Sequence, residues 1–277
     1  MNKLLKLSLS SLLVVTSHAS LADDSMLEQY TYDMIAQNVS KGFEPTANSI
    51  KINGSDIYVS YTTWADTAAS YNDNDDRVVR QNGLDYSQTY GLAMTNKDHG
   101  GGLSDWHTID NNQDDWKFDF DMVLFSFSEA VALTNTKFNY LTGAGNENQL
   151  TVVGFDNIDI FKNASSSVTT WTDIAASSAI TSITHKNIST NPHNLGNYEV
   201  TYPTSLKEAK YWLVGAYNTY FDPNNDETSI SGSGFKLASL GISQRNETPD
   251  VDVSEPGAFA LMSLGLGLLL YRRKRRV

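Results

Sequence analysis

Short runs rich in Val, Ile, Thr, Tyr and Phe alternate with clusters of Asn, Asp, Gly and Ser through the middle of this chain. Runs of this kind, bounded by turn-forming residues, predict β-strands. The predicted strands are 49–52, 57–62, 90–95, 118–127, 131–140, 150–155, 158–161, 198–202, 211–217 and 235–242. Asn53 and Gly54 separate the first two runs and predict a tight β-hairpin. The pattern therefore predicts an all-β fold.

Three stretches add detail to this prediction. From Phe118 to Leu124, apolar residues first alternate with acidic ones and then occupy both faces. This predicts a strand that runs from an exposed rim into the centre of a β-sandwich. Trp212 lies inside an apolar run and is predicted to be a core residue. In 25–37 the apolar residues have nearly helical spacing and Ser25 is a suitable N-cap, so a short helix is predicted there.

The first residues have the pattern of a secretory signal peptide. Lys3 and Lys6 precede the apolar stretch 7–15, and the small residues Ser20 and Ala22 follow it. A basic region, a short apolar region and small residues at the −3 and −1 positions predict cleavage by signal peptidase after Ala22, with cleavage after Ala19 as the alternative. The segment 1–22 is therefore predicted to direct export.

A second apolar stretch, 257–271, stands between a Glu-Pro pair and a basic cluster. As a helix it would be ~22 Å long. That is short of the ~30 Å hydrocarbon core of a bilayer, although bilayer thinning and snorkelling of the flanking cations can cover the difference. The positive-inside rule predicts that the basic cluster stays cytoplasmic. The cluster consists of Arg272, Arg273, Lys274, Arg275 and Arg276.

The segment 243–253 has the composition of a linker. It carries Pro249 and several acidic residues, with hardly any large apolar side chain. Such a composition predicts an extended, solvated chain. The predicted organisation is thus a signal peptide at 1–22, a folded domain at 23–242, a linker at 243–253 and a membrane-associated segment at 254–277.

The order of Glu-Pro pair, apolar helix and basic cluster resembles the sorting signal of PEP-CTERM proteins, the substrates of exosortase. The resemblance covers 254–277, and Ser254 stands where the family has its first proline. It implies export through the Sec translocon, temporary tethering in the inner membrane of a Gram-negative bacterium, and exosortase processing at the motif. The motif residues are Ser254, Glu255, Pro256 and Gly257. The released domain is then expected at the cell surface or in the extracellular matrix of a biofilm.

A weaker resemblance extends over the body of the chain. The segments 91–93, 108–111, 123–134 and 235–240 are similar to segments common in PEP-CTERM ectodomains. This resemblance implies a jelly-roll-like β-sandwich over 23–242.

Composition and charge argue against several classes of function. The chain has 277 residues, with 20 Lys+Arg, 32 Asp+Glu and no Cys, and its net charge is −12. An acidic chain is not expected to bind nucleic acid, which requires a basic surface. Without Cys, the chain has no disulfide, no Cys-ligated metal and no thiol nucleophile. The signal peptide holds two basic residues and 256–277 holds five, neither with an acid, so 23–255 has 13 basic residues against 32 acidic ones and a net charge of −19.

Acidic clusters provide the candidate metal ligands. Calcium takes six to eight oxygens, which loops of Asp, Asn and carbonyl groups supply. One candidate set lies in a single Asp-rich stretch, and the other occupies positions 1, 3 and 5 of an incomplete calcium loop in which Glu227 replaces the required Gly. The residues are Asp110, Asn111, Asp119 and Asp121 in the first set, and Asp222, Asn224 and Asp226 in the second. A structural Ca²⁺ is the candidate cofactor, and solvated acidic loops are the alternative.

The sequence favours a binding or structural role over catalysis. The His residues lack the H-E-x-x-H spacing of a zinc site, and no Gly-x-Ser-x-Gly elbow occurs. Trp106 and Trp116 lie in loop-like sequence and are the candidates for stacking on sugar rings. We therefore expect a non-enzymatic surface protein that associates with exopolysaccharide or acts in adhesion. The alternatives are a glycan-active enzyme on a jelly-roll scaffold and a permanently membrane-anchored binding protein.

Overall fold

A computed structural model describes residues 28–36, 48–52, 54–66, 79–95, 107–111, 113–114, 117–118, 120–142, 148–164, 169–188, 198–204, 206–222, 224, 232–244, 265 and 271–272. One compact unit extends from Leu27 to Asn246. A second unit comprises 1–26 and 247–277, of which Gly265, Tyr271 and Arg272 are described and have helical backbone.

The described part of the larger unit is mainly β-strand. Its strands are β1 Glu28–Asp33, β2 Asn48–Ile52, β3 Ser55–Asp66, β4 Val79–Ser87, β5 Gly91–Thr95, β6 Ile109–Asp110, β7 Gln113–Asp114, β8 Lys117–Phe118, β9 Met122–Thr142, β10 Gln149–Phe155, β11 Ile180–Asn187, β12 Tyr198–Thr201, β13 Ala209–Ala216 and β14 Gly234–Gln244. Its helices are α1 Asp159–Ala164, α2 Trp171–Ala175 and the 3₁₀ turn Thr219–Phe221. The predicted all-β fold class is confirmed.

Twelve of these strands form one antiparallel sheet with the path β1-β14-β5-β4-β3-β9-β13-β10-β11. The strands β12, β2 and β6 pair with β9, β3 and β14, and β14 also pairs with β9. The separate pair β7-β8 makes a small ribbon. Gly54 has a φ of +77° and stands between Ile52 and Ser55, which face each other across the β2-β3 hairpin. The hairpin predicted from Asn53 and Gly54 is therefore confirmed.

The 21-residue strand β9 connects two parts of the sheet. Its first half pairs with β3 and β13, and its second half pairs with β14 and β12. The register with β13 shifts between Ser126 and Val131, where the sequence predicted the end of one strand and the start of another. An extra length of chain at such a bulge allows one strand to continue where two were expected.

One hydrophobic core gathers side chains from both parts. Phe125 comes from the first half of β9, and Tyr61 and Val214 come from the strands β3 and β13 that flank it. Phe138 comes from the second half of β9, and Leu237 comes from β14. The core also contains Trp212, whose indole Nε1 donates to the carbonyl oxygen of Val131 at 2.9 Å. Trp212 was predicted as a core residue, and this prediction is confirmed.

A second hydrophobic cluster covers the opposite face of β3, β9, β10 and β13. Consecutive residues of β9 divide between the two clusters, with Met122 and Leu124 in the second and Val123 and Phe125 in the first. The helices supply the covering side chains, which include Phe161, Trp171 and Phe221. We call β3, β10, β13 and the first half of β9 the covered part. Where the helices cover these strands, both faces are apolar because both are buried, whereas the first half of β3 keeps exposed residues such as Tyr58.

Of the remaining strands, β1, β12 and the second half of β9 carry exposed polar side chains beside their core residues, whereas β14 is buried except at Gln244 and β5 except at Thr95. On β1, Tyr32 lies in the first core, whereas Thr31 is exposed. Lys137 of β9 and Glu199 of β12 are 48% and 42% exposed and their charged groups lie 3.9 Å apart. We call β1, β5, β12, β14 and the second half of β9 the open part.

The predicted helix over 25–37 is wrong in its described residues, since 28–33 form β1. Tyr30 and Tyr32 face the core and alternate with exposed neighbours, which is the two-residue period of a strand. Asp33 pairs with Ser239 and Glu28 pairs with Gln244. This pairing with β14 makes the segment a strand and not a helix. The mixed spacing in the sequence was compatible with either period.

The predicted strand over 158–161 is also wrong. Asp159–Ala164 forms α1, in which the backbone N–H groups of Phe161 and Lys162 both donate to the carbonyl oxygen of Ile158. The Asn157 side chain accepts from the N–H of Asp159, and Lys162 forms an ion pair with Asp159 at 2.9 Å. This local polar network stabilises a short helix where the apolar residues alone indicated a strand.

No predicted element covered β4, β6, β7, β11 or α2. The helix α2 begins with a capping box, in which Thr170 Oγ1 accepts from the N–H of Asp173 and the Asp173 carboxylate accepts from the N–H of Thr170. The hydrogen bonds that the Thr170 N–H and the Thr170 hydroxyl donate to the Asp173 carboxylate lower the pKa of Asp173. The strand β14 continues to Gln244, so the sheet includes two residues that the sequence assigned to the linker.

Candidate functional site

The structure brings together three residues of the first predicted calcium set. Asp110, Asn111 and Asp121 are all buried where the end of β6 meets the start of β9. The N–H of Asp121 donates to the Asp110 carbonyl oxygen at 2.9 Å, and the N–H of Asp110 lies 3.4 Å from Asp121 Oδ2. Thr108 Oγ1 donates to Asp110 Oδ2. Backbone groups make these contacts between Asp110 and Asp121, and the convergence of the side-chain oxygens on one cation stays a prediction.

Asn111, the residue after Asp110, has a structural role. Its Nδ2 donates to the Tyr217 carbonyl oxygen at 2.8 Å, and its Oδ1 accepts from the N–H of Ser233 at 2.6 Å. Its own N–H donates to the Ser233 carbonyl oxygen at 3.0 Å. The side chain thus joins the residue after β13 to the residue before β14. Buried amides are expected to be satisfied in this way.

A third buried carboxylate lies beside this group. Asp66, at the end of β3, is 3% exposed, and its Oδ1 accepts from the N–H of Phe120 at 2.7 Å. Such hydrogen bonds offset part of the cost of burying a carboxylate. Within the residues that the structure describes, no three His, Cys, Asp or Glu side chains are grouped in a way that would hold a metal ion. A calcium site that also uses Asp119 stays a prediction, because Asp119 lies outside the described residues.

The two described residues of the second calcium set, Asp222 and Asn224, contact each other, and Asp222 also contacts Tyr217. Asp222 Oδ1 accepts from the N–H of Asn224 at 3.1 Å, and Oδ2 accepts from the Tyr217 hydroxyl at 2.9 Å. These two hydrogen bonds, that from Asn224 above all, lower the pKa of Asp222. Asp226 lies outside the described residues.

His185 lies at the centre of a network that the sequence did not predict. Its Nδ1 is 2.9 Å from Thr151 Oγ1, and its Nε2 is 3.3 Å from the Phe221 carbonyl oxygen. The N–H of Asn218 donates to Thr151 Oγ1 at 2.9 Å. This arrangement suits a neutral imidazole that accepts at Nδ1 and donates at Nε2. Burial lowers the pKa of His185, against an opposing effect of the nearby Asp222 carboxylate.

Two tyrosines and a lysine form a cluster on the open part, which we call the Tyr90 cluster: Tyr90, Tyr140 and Lys236. Phe235 and Leu237, the neighbours of Lys236 on β14, belong to the core, so Lys236 points to the opposite face. Its Nζ lies 4.8 Å from the Tyr140 ring centre and 5.6 Å from that of Tyr90. The two rings meet edge to face at 5.5 Å, and Tyr90 is 41% exposed.

The local chain holds Tyr90 in place. The N–H groups of Thr89 and Tyr90 donate to Ser87 Oγ at 3.3 and 3.2 Å. Gly91 has a φ of +97°, and a Cβ atom there would lie 2.1 Å from the Leu237 carbonyl oxygen. Only glycine fits such a conformation and approach. The spacing of apolar and polar residues could not predict this cluster, because its three members lie on separate segments of the chain.

Most of the predicted processing and stacking residues lie outside the described residues. They are Ser20, Ala22, Trp106, Trp116, Ser254, Glu255, Pro256, Gly257, Arg273, Lys274, Arg275 and Arg276. Arg272 is described, with helical backbone and an exposed side chain. Among the described residues, no helix has the length and apolar character that a membrane span requires.

Comparison with known proteins gave no match. No family model, no curated protein and no solved structure is similar to this chain.

Proposed function

We propose that this chain is an exported, exosortase-processed protein of the bacterial cell surface or extracellular matrix. The observation that supports this proposal best is the order of Glu255–Pro256, the apolar stretch 257–271 and the basic cluster that follows. A short apolar helix with cations on one side suits temporary rather than permanent residence in a membrane. The signal-peptide pattern of 1–22 supplies the matching route out of the cytoplasm.

The folded body is proposed to be a jelly-roll-like sandwich in which the sheet folds over on itself at β9. Two features support this architecture. The register of β9 shifts near Val131, at the boundary between its two sets of partners. The first core collects side chains from strands on both sides of that boundary, as the interior between two layers would.

The body is proposed to act by binding or by its physical presence, not by catalysis. The buried carboxylates Asp66 and Asp121 accept hydrogen bonds from backbone N–H groups, which is a structural use of an acid. The acidity of the processed chain favours solubility in a matrix of extracellular polysaccharide. Association with that polysaccharide is the proposed role.

Mass spectrometry of the protein from wild-type cells tests the processing step. Peptides from 258–277 should be missing from wild-type cells and present when the exosortase is absent. A matched variant, Glu255→Ala with Pro256→Ala, should retain the tail in wild-type cells. An intact tail on the unmodified protein in wild-type cells would overturn the proposal and favour a permanent anchor.

A further inference from the structure

We propose that the Tyr90 cluster is a binding site for an uncharged hexopyranose unit of the extracellular polysaccharide. Tyr90 provides the face on which the sugar ring stacks, and Tyr140 and Lys236 position that face. The inference rests on the proposed association with polysaccharide and names the place and the ligand class.

The first argument is that an exposed ring is held in one orientation. Tyr90 is 41% exposed, yet the Tyr140 ring and the Lys236 ammonium group both contact it. The Ser87 hydroxyl fixes the backbone before it, and Gly91 packs against β14 after it. The Asn139 side chain adds a hydrogen bond to the Thr89 carbonyl oxygen at 3.3 Å. Ordering a surface side chain before binding reduces the entropy that the ligand must offset.

The second argument is that the cluster combines the groups that a sugar requires. A pyranose ring has an apolar C–H face and a rim of hydroxyls, and tyrosine likewise combines an apolar ring with a polar edge. Lys236 is 7% exposed and its ammonium group lies against both rings, and the Asn139 side chain contacts Thr89, the residue before Tyr90. An aromatic face beside polar groups therefore matches both features of the sugar.

The third argument concerns the charge of the ligand. The processed chain has a net charge of −19, from 13 basic and 32 acidic residues in 23–255. Such a charge repels a polyanion at long range. An uncharged polysaccharide meets no such barrier, so its binding should change little with salt concentration.

Affinity electrophoresis of the full-length chain, kept soluble in a mild detergent, tests the site. The probe is the total extracellular polysaccharide of the source cells, divided by anion exchange into an uncharged and an anionic fraction. Tyr90→Ala should weaken retardation by the uncharged fraction about tenfold, the change that corresponds to ~1.4 kcal/mol. Tyr90→Phe, which keeps the ring, should stay within about threefold of the unmodified chain.

Tyr58→Ala is the matched control, because Tyr58 is a 56% exposed tyrosine on β3, away from the cluster. It should leave retardation unchanged within about twofold. Unchanged binding of Tyr90→Ala would overturn the site and leave the polysaccharide association intact. Binding of the anionic fraction alone, with strong salt dependence, would overturn the assigned ligand class. No binding of either fraction by the unmodified chain would overturn the association itself and the site with it.

Discussion

The covered and open parts of the sheet use aromatic side chains in different ways. In the covered part, Phe161 lies between Trp64 and Phe155, with ring centres 5.1 and 5.7 Å away, and is 1% exposed. In the open part, Tyr90 makes ring and cation contacts of similar length but keeps 41% of its surface accessible. Burial, not contact distance, separates an aromatic ring that stabilises the fold from one that is available to a ligand.

The largest expected effect is the loss of a ring from the covered part. Phe161→Ala should lower the free energy of unfolding by about 3–5 kcal/mol, since it removes a buried side chain and leaves a cavity. Tyr90→Ala in the open part should lower it by only ~0.5–1 kcal/mol. Urea unfolding followed by fluorescence measures both. Equal losses would contradict the distinction between the two parts.

The next largest effect is expected at Gly91, where the open part approaches its own backbone. Gly91→Ala combines the strain of a positive φ with a clash against the Leu237 carbonyl oxygen, so it should cost more than ~2 kcal/mol. Gly54→Ala is the control, because Gly54 also has a positive φ but a Cβ there meets no atom within 4 Å. Its cost should be ~1–2 kcal/mol. If thermal unfolding gives equal costs for the two variants, the close contact has no energetic role.

A change at Asn111 tests the link between the two parts. Asn111→Ala removes the hydrogen bonds to Tyr217, after β13, and to Ser233, before β14. Leaving those buried backbone groups unpaired should cost about 1–3 kcal/mol. Asn224→Ala, at an exposed position, should stay within ~0.5 kcal/mol of the unmodified protein in the same denaturation measurement. If Asn111→Ala also stays within ~0.5 kcal/mol of the unmodified protein, the hydrogen bonds from Asn111 to Tyr217 and Ser233 do not stabilise the fold.

The smallest effect is expected from pH at the edge of the covered part. Burial lowers the folded-state pKa of His185 below the ordinary histidine value of about 6.5. The unfolded chain therefore takes up the proton first as pH falls, and stability should decrease below about pH 6.5 and level off below the folded-state pKa. The slope should stay below ~1.4 kcal/mol per pH unit, because one proton is involved and the ring is partly solvated.

His185→Gln keeps a polar side chain without a titrating group near neutral pH. Unfolding midpoints measured between pH 5 and 8 should show that this variant lacks the His185 contribution to the pH dependence. An identical pH profile for variant and unmodified protein would mean that protonation of His185 does not affect the network with Thr151 and Phe221.

Much of the strand content could be predicted because two-residue alternation is a local property. The hairpin at Gly54 and the core position of Trp212 followed from residue type and neighbours alone. The convergence of Asp110 and Asp121 on a cation stays a prediction, although the N–H of Asp110 lies 3.4 Å from Asp121 Oδ2. The hydrogen-bond partners of Asn111 were not predicted, since Ser233 and Tyr217 are distant in sequence. The Tyr90 cluster was missed for the same reason.

The sequence by itself determined the all-β class and most strand positions, and the predicted signals at 1–22 and 254–277, on which the proposed export depends, rest on the sequence alone. Only the tertiary structure decided that 28–33 pair with β14, that β9 runs unbroken from Met122 to Thr142, and that Tyr90 meets Lys236. Local preferences depend on neighbours in the chain. Strand pairing and side-chain clusters depend on partners that only folding brings together, and the burial gained there outweighs a local preference.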